Sequence, residues 1–253
     1  MRRILILGGT AEARQLATRL GQRRDLAVTL SLAGRTASPA AQPVPVRIGG
    51  FGGAQGLAGH LIAGRIDALI DATHPYAAIM SANAACAAVT ARVPLLALRR
   101  PPWTPVAGDR WIEVADLRAA VAALGETPRR IFLALGRKDL APFTEAPQHH
   151  YLVRSVDPLE PPLAVPNASY VVARGPFTEC GDRALLTAHA IDSVIARNSG
   201  GSATYGKIAA ARALALPVIM LRRPPLPLVA AVETIEAVAA WIDHAQPCAD
   251  RDV

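Results

Sequence analysis

The sequence of 253 residues is poor in cysteine, in aromatic side chains and in long apolar runs. Its three cysteines, Cys86, Cys180 and Cys248, are odd in number and widely spaced, so neither a disulfide framework nor a zinc site is indicated. Aromatic residues make up 4% of the chain and hydrophobic residues 51%, which is typical of a compact, aliphatic protein. No apolar run is long enough to cross a membrane, and the run after Met1 stops at Gly8 without a cleavage site, so we expect a cytoplasmic protein.

Lysine is also scarce, although the formal net charge is +7. Of 27 basic residues only Lys138 and Lys207 are lysines, which makes these two candidates for specific roles. A charge of this size suits a polyanionic partner, but the cations form no tail or stripe and few aromatic residues accompany them, so nucleic acid is not expected. The adjacent His149 and His150 would point to opposite faces of a strand, so they do not make a metal pair.

The most informative stretch is residues 4–14, ILILGGTAEAR. Its apolar run predicts a buried parallel strand over 4–7, and Gly8 and Gly9 let the backbone approach a phosphate at the start of the next helix, over 11–20. The full G-x-G-x-x-G spacing of a dinucleotide-binding turn is absent. A plain strand-to-helix turn is therefore the alternative to a nucleotide-binding turn.

A second strand, over 28–32, is followed by Arg35, Thr36 and Ser38. In dinucleotide-binding folds an acidic residue at this place accepts hydrogen bonds from the ribose 2′-hydroxyl, whereas an arginine accommodates a 2′-phosphate. Because the acid is absent, Arg35 indicates NADP rather than NAD. A solvated loop cation is the alternative.

Two further strand ends carry candidate contacts. A strand over 44–48 precedes a glycine-dense loop with Gly50 and Gly52, where the backbone could pass close to a cofactor. A strand over 66–71 is followed by a polar cluster at its carboxyl end, the edge at which open α/β sheets bind ligands. This cluster consists of Thr73, His74, Pro75 and Tyr76. Capping and packing are the alternative roles of its histidine and tyrosine.

The second half of the chain repeats the pattern of the first. Residues 93–102, VPLLALRRPP, are echoed by residues 216–225, LPVIMLRRPP. Similar strand–helix–strand units precede both segments, so we expect two α/β domains, 1–100 and 101–253. The proline-rich segment 100–108 is the expected hinge, and the cleft between domains is a favoured ligand site. Whether the last helix, over 234–245, packs back on the first domain is left open.

The predicted strand ends of the second domain are cationic. Together at one sheet edge these residues would bind several carboxylates, since arginine suits bidentate pairing. The alternative is a solvated surface whose charges pair with Asp139, Asp157 or Asp182. The cations are Arg137, Lys138, Arg154, Arg174, Arg197 and Lys207.

A phosphate-loop spacing, GSATYGK, occurs at 201–207. The next residue is Ile208 instead of the Ser or Thr that would hold magnesium, which disfavours a nucleotide hydrolase. The amides of the preceding segment still suit an anion such as a carboxylate, without a metal. That segment is Asn198, Ser199, Gly200 and Gly201.

Four short motifs in this order resemble the precorrin-6A reductase family of cobalamin biosynthesis: GGTAEA at 8–13, DATHPYA at 71–77, ARGPF at 173–177 and RNSGG at 197–201. Arg197 stands where a lysine is also common in the family, which keeps the charge. The resemblance implies two Rossmann-like domains with the macrocycle between them, and NADPH-dependent reduction of one carbon–carbon double bond to give precorrin-6B, without metal or flavin. It leaves open whether the ring contains cobalt, the oligomeric state, and handover to neighbouring pathway enzymes.

The resemblance also implies roles for individual residues. The expected cofactor-binding residues are Gly8, Gly9, Thr10, Ala13, Arg14, Arg35, Thr36, Ser38, Gly50, Gly52, Thr73, His74 and Pro75. The expected macrocycle-binding residues are Tyr76, Arg137, Lys138, Arg174, Arg197, Asn198, Ser199, Gly200, Gly201 and Lys207. His74, Tyr76, Lys207 or a water would supply the proton. A non-catalytic NADP-binding sensor and a phosphate-loop nucleotide hydrolase are the competing functions.

Overall fold

The computed structural model describes residues 1–34 and 41–244, which form two compact units. One unit consists of the described residues within Met1–Pro101 and Pro224–Val253, and the other of Pro102–Arg223. Each unit contains a six-stranded sheet in which the strands pair in parallel, with helices between them. The expected α/β fold with two Rossmann-like parallel sheets is therefore confirmed.

The sheet of the first unit has the strand order β12-β5-β4-β1-β2-β3. Its strands are β1 (Arg2–Leu7), β2 (Leu26–Leu32), β3 (Val46–Ile48), β4 (Ala68–Asp71), β5 (Leu95–Leu98) and β12 (Ala231–Val232). Its helices are α1 (Ala11–Gly21), α2 (Gly53–Ala63), α3 (Ala78–Ala91) and α7 (Ile235–His244).

Alternation along β1 places helices on both faces of this sheet. Ile4 and Ile6 are fully buried in a cluster with residues of α1 and α7, whereas Leu5 and Leu7 belong to a separate cluster with residues of α2 and α3. A strand covered on both faces reads as a continuous apolar run, which is why the sequence predicted it well. This arrangement leaves the carboxyl ends of the strands as the edge where loops gather.

The sheet of the second unit has the strand order β6-β11-β10-β7-β8-β9. Its strands are β6 (Trp111–Val114), β7 (Arg130–Ala134), β8 (His150–Ser155), β9 (Ala168–Val172), β10 (Ser193–Arg197) and β11 (Val218–Leu221). Its α-helices are α4 (Leu117–Ala122), α5 (Glu179–Ala188) and α6 (Gly206–Ala213), and two short 3₁₀ helices follow β7 at Arg137–Asp139 and Ala141–Glu145.

Each sheet has at one edge the strand that the chain forms directly after it leaves the other sheet. The chain leaves β5 and next forms β6, which pairs with β11, and it leaves β11 and next forms β12, which pairs with β5. The two segments that connect the sheets begin with the repeated LRRPP sequence. The internal repeat therefore marks the two points where the chain passes from one sheet to the other.

These connections explain why the two units differ from the two domains that the sequence predicted. The described residues from Pro224 to His244 belong to the first unit, whereas the sequence pattern placed 101–253 in the second and left only the last helix open. The physical reason is that β12 pairs with β5, and α7 buries Val238 and Ile242 in the cluster that contains α1. Among the described residues, no helix combines the length and apolar character needed to span a bilayer.

His149, directly before β8, is buried within the second unit. Its ring lies 6.0 Å from that of Tyr151, centroid to centroid. Burial is the main cause that lowers the pKa of His149 below 6.5; Arg129 lowers the pKa further, while Glu126 and the backbone of Gly125 oppose the shift. The folded protein therefore holds this imidazole in its neutral form more strongly than the unfolded chain does.

We expect the free energy of unfolding to fall less on acidification in His149→Leu than in the parent protein. As pH falls through about 6.5, the unfolded chain takes up a proton on this histidine before the folded protein does, so unfolding becomes more favourable. Urea midpoints at pH 8 and pH 5.5 should differ less in the variant than in the parent, and the exposed His244→Leu serves as the control. Equal differences in the parent and in His149→Leu would contradict the prediction.

Candidate functional site

The turn between β1 and α1 requires both of its glycines. A Cβ at Gly8 would lie 2.6 Å from Leu30 Cδ1, and Gly9 has a φ of +118°, where other residues are strained. Gly9 is exposed, and a Cβ built on it would meet nothing within 4 Å. The backbone is therefore open to a ligand at the amino end of α1.

Thr10 fixes this end of the helix. Its Oγ1 accepts a hydrogen bond from Ala13 N at 3.1 Å and donates one to Ala72 O at 2.9 Å, which ties the turn to the end of β4. Ala13 is fully buried, so its contribution is to the turn itself, whereas Arg14 is exposed in the first helical turn. A helix amino end with an open glycine backbone fits a dinucleotide's diphosphate.

The glycine loop after β3 is shaped by Arg47, which the sequence pattern did not single out. Its Nη1 donates to Gly49 O at 2.6 Å and its Nη2 to Gly50 O at 2.7 Å, while its Cζ lies 3.7 Å from the ring centroid of Phe51. Gly50 and Gly52 are exposed, and Gly52 has a φ of +78°. The loop is exposed to solvent, and the Arg47 guanidinium holds it through two carbonyl oxygens.

The three predicted 2′-phosphate contacts, Arg35, Thr36 and Ser38, lie outside the described residues and stay predictions. The described chain reaches Gly34 after β2, and at the neighbouring strand Gly49 N donates to Leu32 O at 2.9 Å. This edge of the sheet is where a dinucleotide-binding fold holds the adenosine ribose.

A buried carboxylate organises the loop after β4. Asp71 Oδ1 accepts hydrogen bonds from Thr73 N at 3.1 Å and from Thr73 Oγ1 at 2.6 Å, and Asp71 Oδ2 accepts one from Arg99 Nη2 at 2.7 Å. The Asp71 side chain is 1% exposed. Arg99 Nη2 also lies 3.3 Å from Ser81 Oγ in α3. Asp71 therefore links Thr73 to Arg99, and the loop that follows Thr73 has a defined starting point.

His74 and Tyr76 lie next to each other in that loop. Tyr76 N donates to His74 Nδ1 at 3.3 Å, and the two ring centroids are 5.6 Å apart. Both side chains are partly exposed, whereas Pro75 between them is buried. Because Nδ1 accepts, the neutral imidazole carries its proton on Nε2.

One crevice unites the turn before α1 with the loop after β4. It lies at the carboxyl ends of β1, β4 and β5, where parallel α/β sheets bind their ligands. Arg99 and Arg100, which belong to the repeated LRRPP segment, were not predicted as site residues. The lining residues are Thr10, Glu12, Thr73, Pro75, Leu98, Arg99 and Arg100.

In the second unit, the structure separates the predicted cations by their surroundings. Arg137 and Lys138 are exposed in the 3₁₀ helix after β7, and Arg174 is exposed after β9. Arg197 is partly buried and pairs with Asp139 at 2.5 Å. The three exposed cations lie at the carboxyl ends of their strands, and their binding of substrate carboxylates stays a prediction.

The buried position of Arg154 contradicts the prediction that all six cations lie together at one edge of the sheet. Arg154 is buried, pairs with Asp182, and lies over two aromatic rings, with its Cζ 3.7 Å from the centroid of Phe177 and 4.9 Å from that of Phe132. The sequence could not separate this residue from the exposed cations, since all follow apolar strand residues. The alternative of pairing with Asp182 is the right one here.

Lys207 lies inside the second unit instead of on its surface. Its side chain is 4% exposed, and its Nζ donates to Thr204 O at 2.6 Å and lies 5.1 Å from the Trp103 ring centroid. A Cβ at Gly206 would come within 2.8 Å of Phe177 O, so this glycine allows α6 to pack closely. The phosphate-loop spacing thus has a packing explanation, while the predicted roles of Lys207 stay predictions.

The loop after β10 is held by Trp103 through Asn198. Asn198 Oδ1 accepts a hydrogen bond from Trp103 N at 2.8 Å, and its Nδ2 donates to Trp103 O at 2.9 Å. The indole Nε1 of Trp103 donates to Gly201 O at 2.8 Å. The Asn198 side chain therefore supports the loop from within.

Arg223, two residues after the end of β11, holds the same loop. Its Nε donates to Asn198 O at 2.9 Å and its Nη2 to Ser199 O at 3.1 Å. Gly200 and Gly201 follow with φ values of +67° and +72°. In both units an arginine of the repeated LRRPP segment thus fixes the loop that follows the neighbouring strand.

We expect Arg99→Met to lower the free energy of unfolding by about 3 kcal/mol, because it leaves the buried Asp71 carboxylate without its cation. Urea denaturation measures this loss. Arg23→Met is the matched control, since Arg23 pairs with Asp25 and Asp243 at the surface, where an ion pair contributes about 1 kcal/mol or less. A loss in Arg99→Met no larger than that of the control would contradict the structural role.

Comparison with known proteins gives one consistent result. The family model described as "Precorrin-6x reductase CbiJ/CobK" matches residues 3–243. A relative from Rhodobacter capsulatus named "Precorrin-6A reductase" is 52% identical over 245 residues, which is 96% of this chain and 97% of the relative. A solved structure titled "CobK precorrin-6A reductase" has a TM-score of 0.92 and 50% identity, and the match covers 99% of this chain and 100% of that chain.

A more distant relative differs in the substrate that its name gives. The protein of Priestia megaterium named "Cobalt-precorrin-6A reductase" is 28% identical over 247 residues, covering 93% of this chain and 96% of the relative. The likeness to the first two proteins is stronger, and it extends over both units. The chain belongs to the precorrin-6x reductase CbiJ/CobK family.

Proposed function

We propose that this protein reduces one carbon–carbon double bond of precorrin-6A, giving precorrin-6B, with NADPH as the hydride donor. The observation that carries the proposal is the open amino end of α1 beside the loop held by Asp71, at the carboxyl edge of a parallel sheet. Membership of the family supplies the reaction. A cytoplasmic location is part of the proposal, because NADPH is available there.

The first unit would bind the cofactor, which supplies the hydride when bound. The exposed backbone at Gly9 and the amino end of α1 would hold the diphosphate, with Thr10 keeping the turn in shape. Asp71 keeps Thr73 in place and thereby orients the loop that carries His74, whose neutral imidazole has its proton on Nε2. His74, Tyr76, Lys207 and a water remain the candidate proton donors.

The second unit would bind the macrocycle. The substrate carries many carboxylates on its rim, and Arg137, Lys138 and Arg174 place exposed cations after β7 and β9, two parallel strands on either side of β8. Arginine and lysine pair well with carboxylates, and several such pairs acting together fix a large ring. Orientation of the ring is what hydride transfer requires, because the cofactor already provides the chemistry.

We further propose that the natural ring is free of cobalt, because the chain is more similar to the relative named for precorrin-6A than to the one named for cobalt-precorrin-6A. Steady-state kinetics with both rings test this point. A higher kcat/KM for the cobalt-containing ring would overturn it.

Loss of NADPH absorbance with and without precorrin-6A separates the proposed reductase from its alternatives. A reductase consumes NADPH only when the ring is present, whereas a sensor binds NADPH and consumes none. A nucleotide hydrolase would release phosphate from ATP with magnesium. The buried position of Lys207 argues against that last function, because a phosphate-loop lysine must reach its nucleotide.

We expect Arg35→Ala to raise the KM for NADPH about tenfold and to leave the KM for NADH nearly unchanged. An arginine after the second strand would pair with the 2′-phosphate, which only NADPH carries, and a charged hydrogen bond of this kind contributes about 1.5–3 kcal/mol. Initial rates with both cofactors measure the effect. Equal changes for the two cofactors would remove Arg35 from the 2′-phosphate site.

We expect the double variant Arg137→Gln/Lys138→Gln to raise the KM for precorrin-6A about tenfold or more, since two carboxylate partners are lost. Titration of NADPH fluorescence should give an unchanged Kd. Arg129→Gln is the matched control, because Arg129 is exposed next to the opposite, amino end of β7. A weaker affinity for NADPH with an unchanged KM for the ring would place these cations at the cofactor instead.

A further inference from the structure

Glu12 and Arg100 form an ion pair at the edge of the proposed diphosphate site. Arg100 Nη1 lies 2.7 Å from Glu12 Oε2, and the two side chains are 14% and 26% exposed. Glu12 is in the first turn of α1, and Arg100 follows β5 by two residues. Both line the crevice that contains Thr10 and Thr73.

The position of Glu12 creates an electrostatic conflict. The amino end of a helix attracts negative charge, so it stabilises the Glu12 carboxylate and would also attract a diphosphate. Two anions at one helix end repel each other, and partial burial weakens the screening by solvent and salt. A carboxylate in the first turn therefore lowers the affinity for a diphosphate unless a cation offsets its charge.

We propose that Arg100 offsets the charge of Glu12 and thereby allows the amino end of α1 to accept the diphosphate of the dinucleotide. The inference rests on the proposed function of the first unit. It makes Arg100 a positioning residue, which acts through Glu12 and has no contact with the cofactor. Arg99 offsets Asp71 in the same way at the same crevice, so the two consecutive arginines balance two acids.

Titration of NADPH binding to Arg100→Gln, Glu12→Gln and the double variant tests the inference without the macrocycle. We expect the Kd of Arg100→Gln to rise at least tenfold, because Glu12 then repels the diphosphate. Glu12→Gln should bind NADPH as tightly as the parent or more tightly. The double variant should return to within about threefold of the parent, since the repelling charge is gone. The tenfold loss corresponds to about 1.4 kcal/mol.

Two results would overturn the inference. A double variant as weak as Arg100→Gln would mean that Arg100 contacts the cofactor directly. An unchanged Kd in Arg100→Gln would mean that Glu12 does not oppose binding. If Arg100→Gln does not fold, the double variant is compared with the parent: a Kd within about threefold supports the inference, and a tenfold loss overturns it.

The control is the ion pair at the other end of the same helix. Arg19 Nη1 lies 2.5 Å from Glu236 Oε1 near the last turn of α1, so Arg19→Gln should leave the Kd for NADPH unchanged. If the parent protein does not bind NADPH at all, the proposed function fails. If the parent binds NADPH but the double variant is as weak as Arg100→Gln, only the role of Arg100 fails.

Discussion

The arrangement of the first unit depends on one buried carboxylate. Asp71 ends a fully buried strand, and its two oxygens hold Thr73 on one side and Arg99 on the other. A buried charge is tolerated only when it is paired and hydrogen-bonded, so the loop after β4 and the segment after β5 must adopt these positions together. The glycine turn joins them, because Thr10 donates to Ala72 O.

In the second unit, the corresponding loop after β10 is held by hydrogen bonds from Trp103 and Arg223 instead of by a carboxylate. Trp103 contributes its backbone and its indole, and Arg223 binds two carbonyl oxygens. Arg99 and Arg223 come from the two LRRPP segments, where the chain passes between the sheets. Each LRRPP segment therefore leads the chain into the other sheet and also fixes the loop that follows the neighbouring strand. Arg137 and Arg174 are exposed at the carboxyl ends of other strands of this unit.

Sequence patterns predicted the features that follow from local physics and missed those that depend on distant partners. Helix α1 begins at Ala11, as expected, but β2 begins at Leu26, two residues before the start at residue 28 that its pattern indicated. Asp71 and Arg99 form an ion pair although they are 28 positions apart in the chain, and a single sequence does not reveal such a pair. Likewise, Arg154 is buried by its contacts with Asp182 and Phe177, although its sequence neighbourhood is like that of an exposed cation.

The central claim is that the amino-terminal glycine turn and the loop beside it receive the dinucleotide. Hydrogen–deuterium exchange with and without NADPH tests this claim most directly, since bound ligand slows exchange of the amides that it covers or orders. The account predicts slower exchange in peptides that contain residues 8–14 and 71–77. Slower exchange confined to residues 197–207 would contradict it.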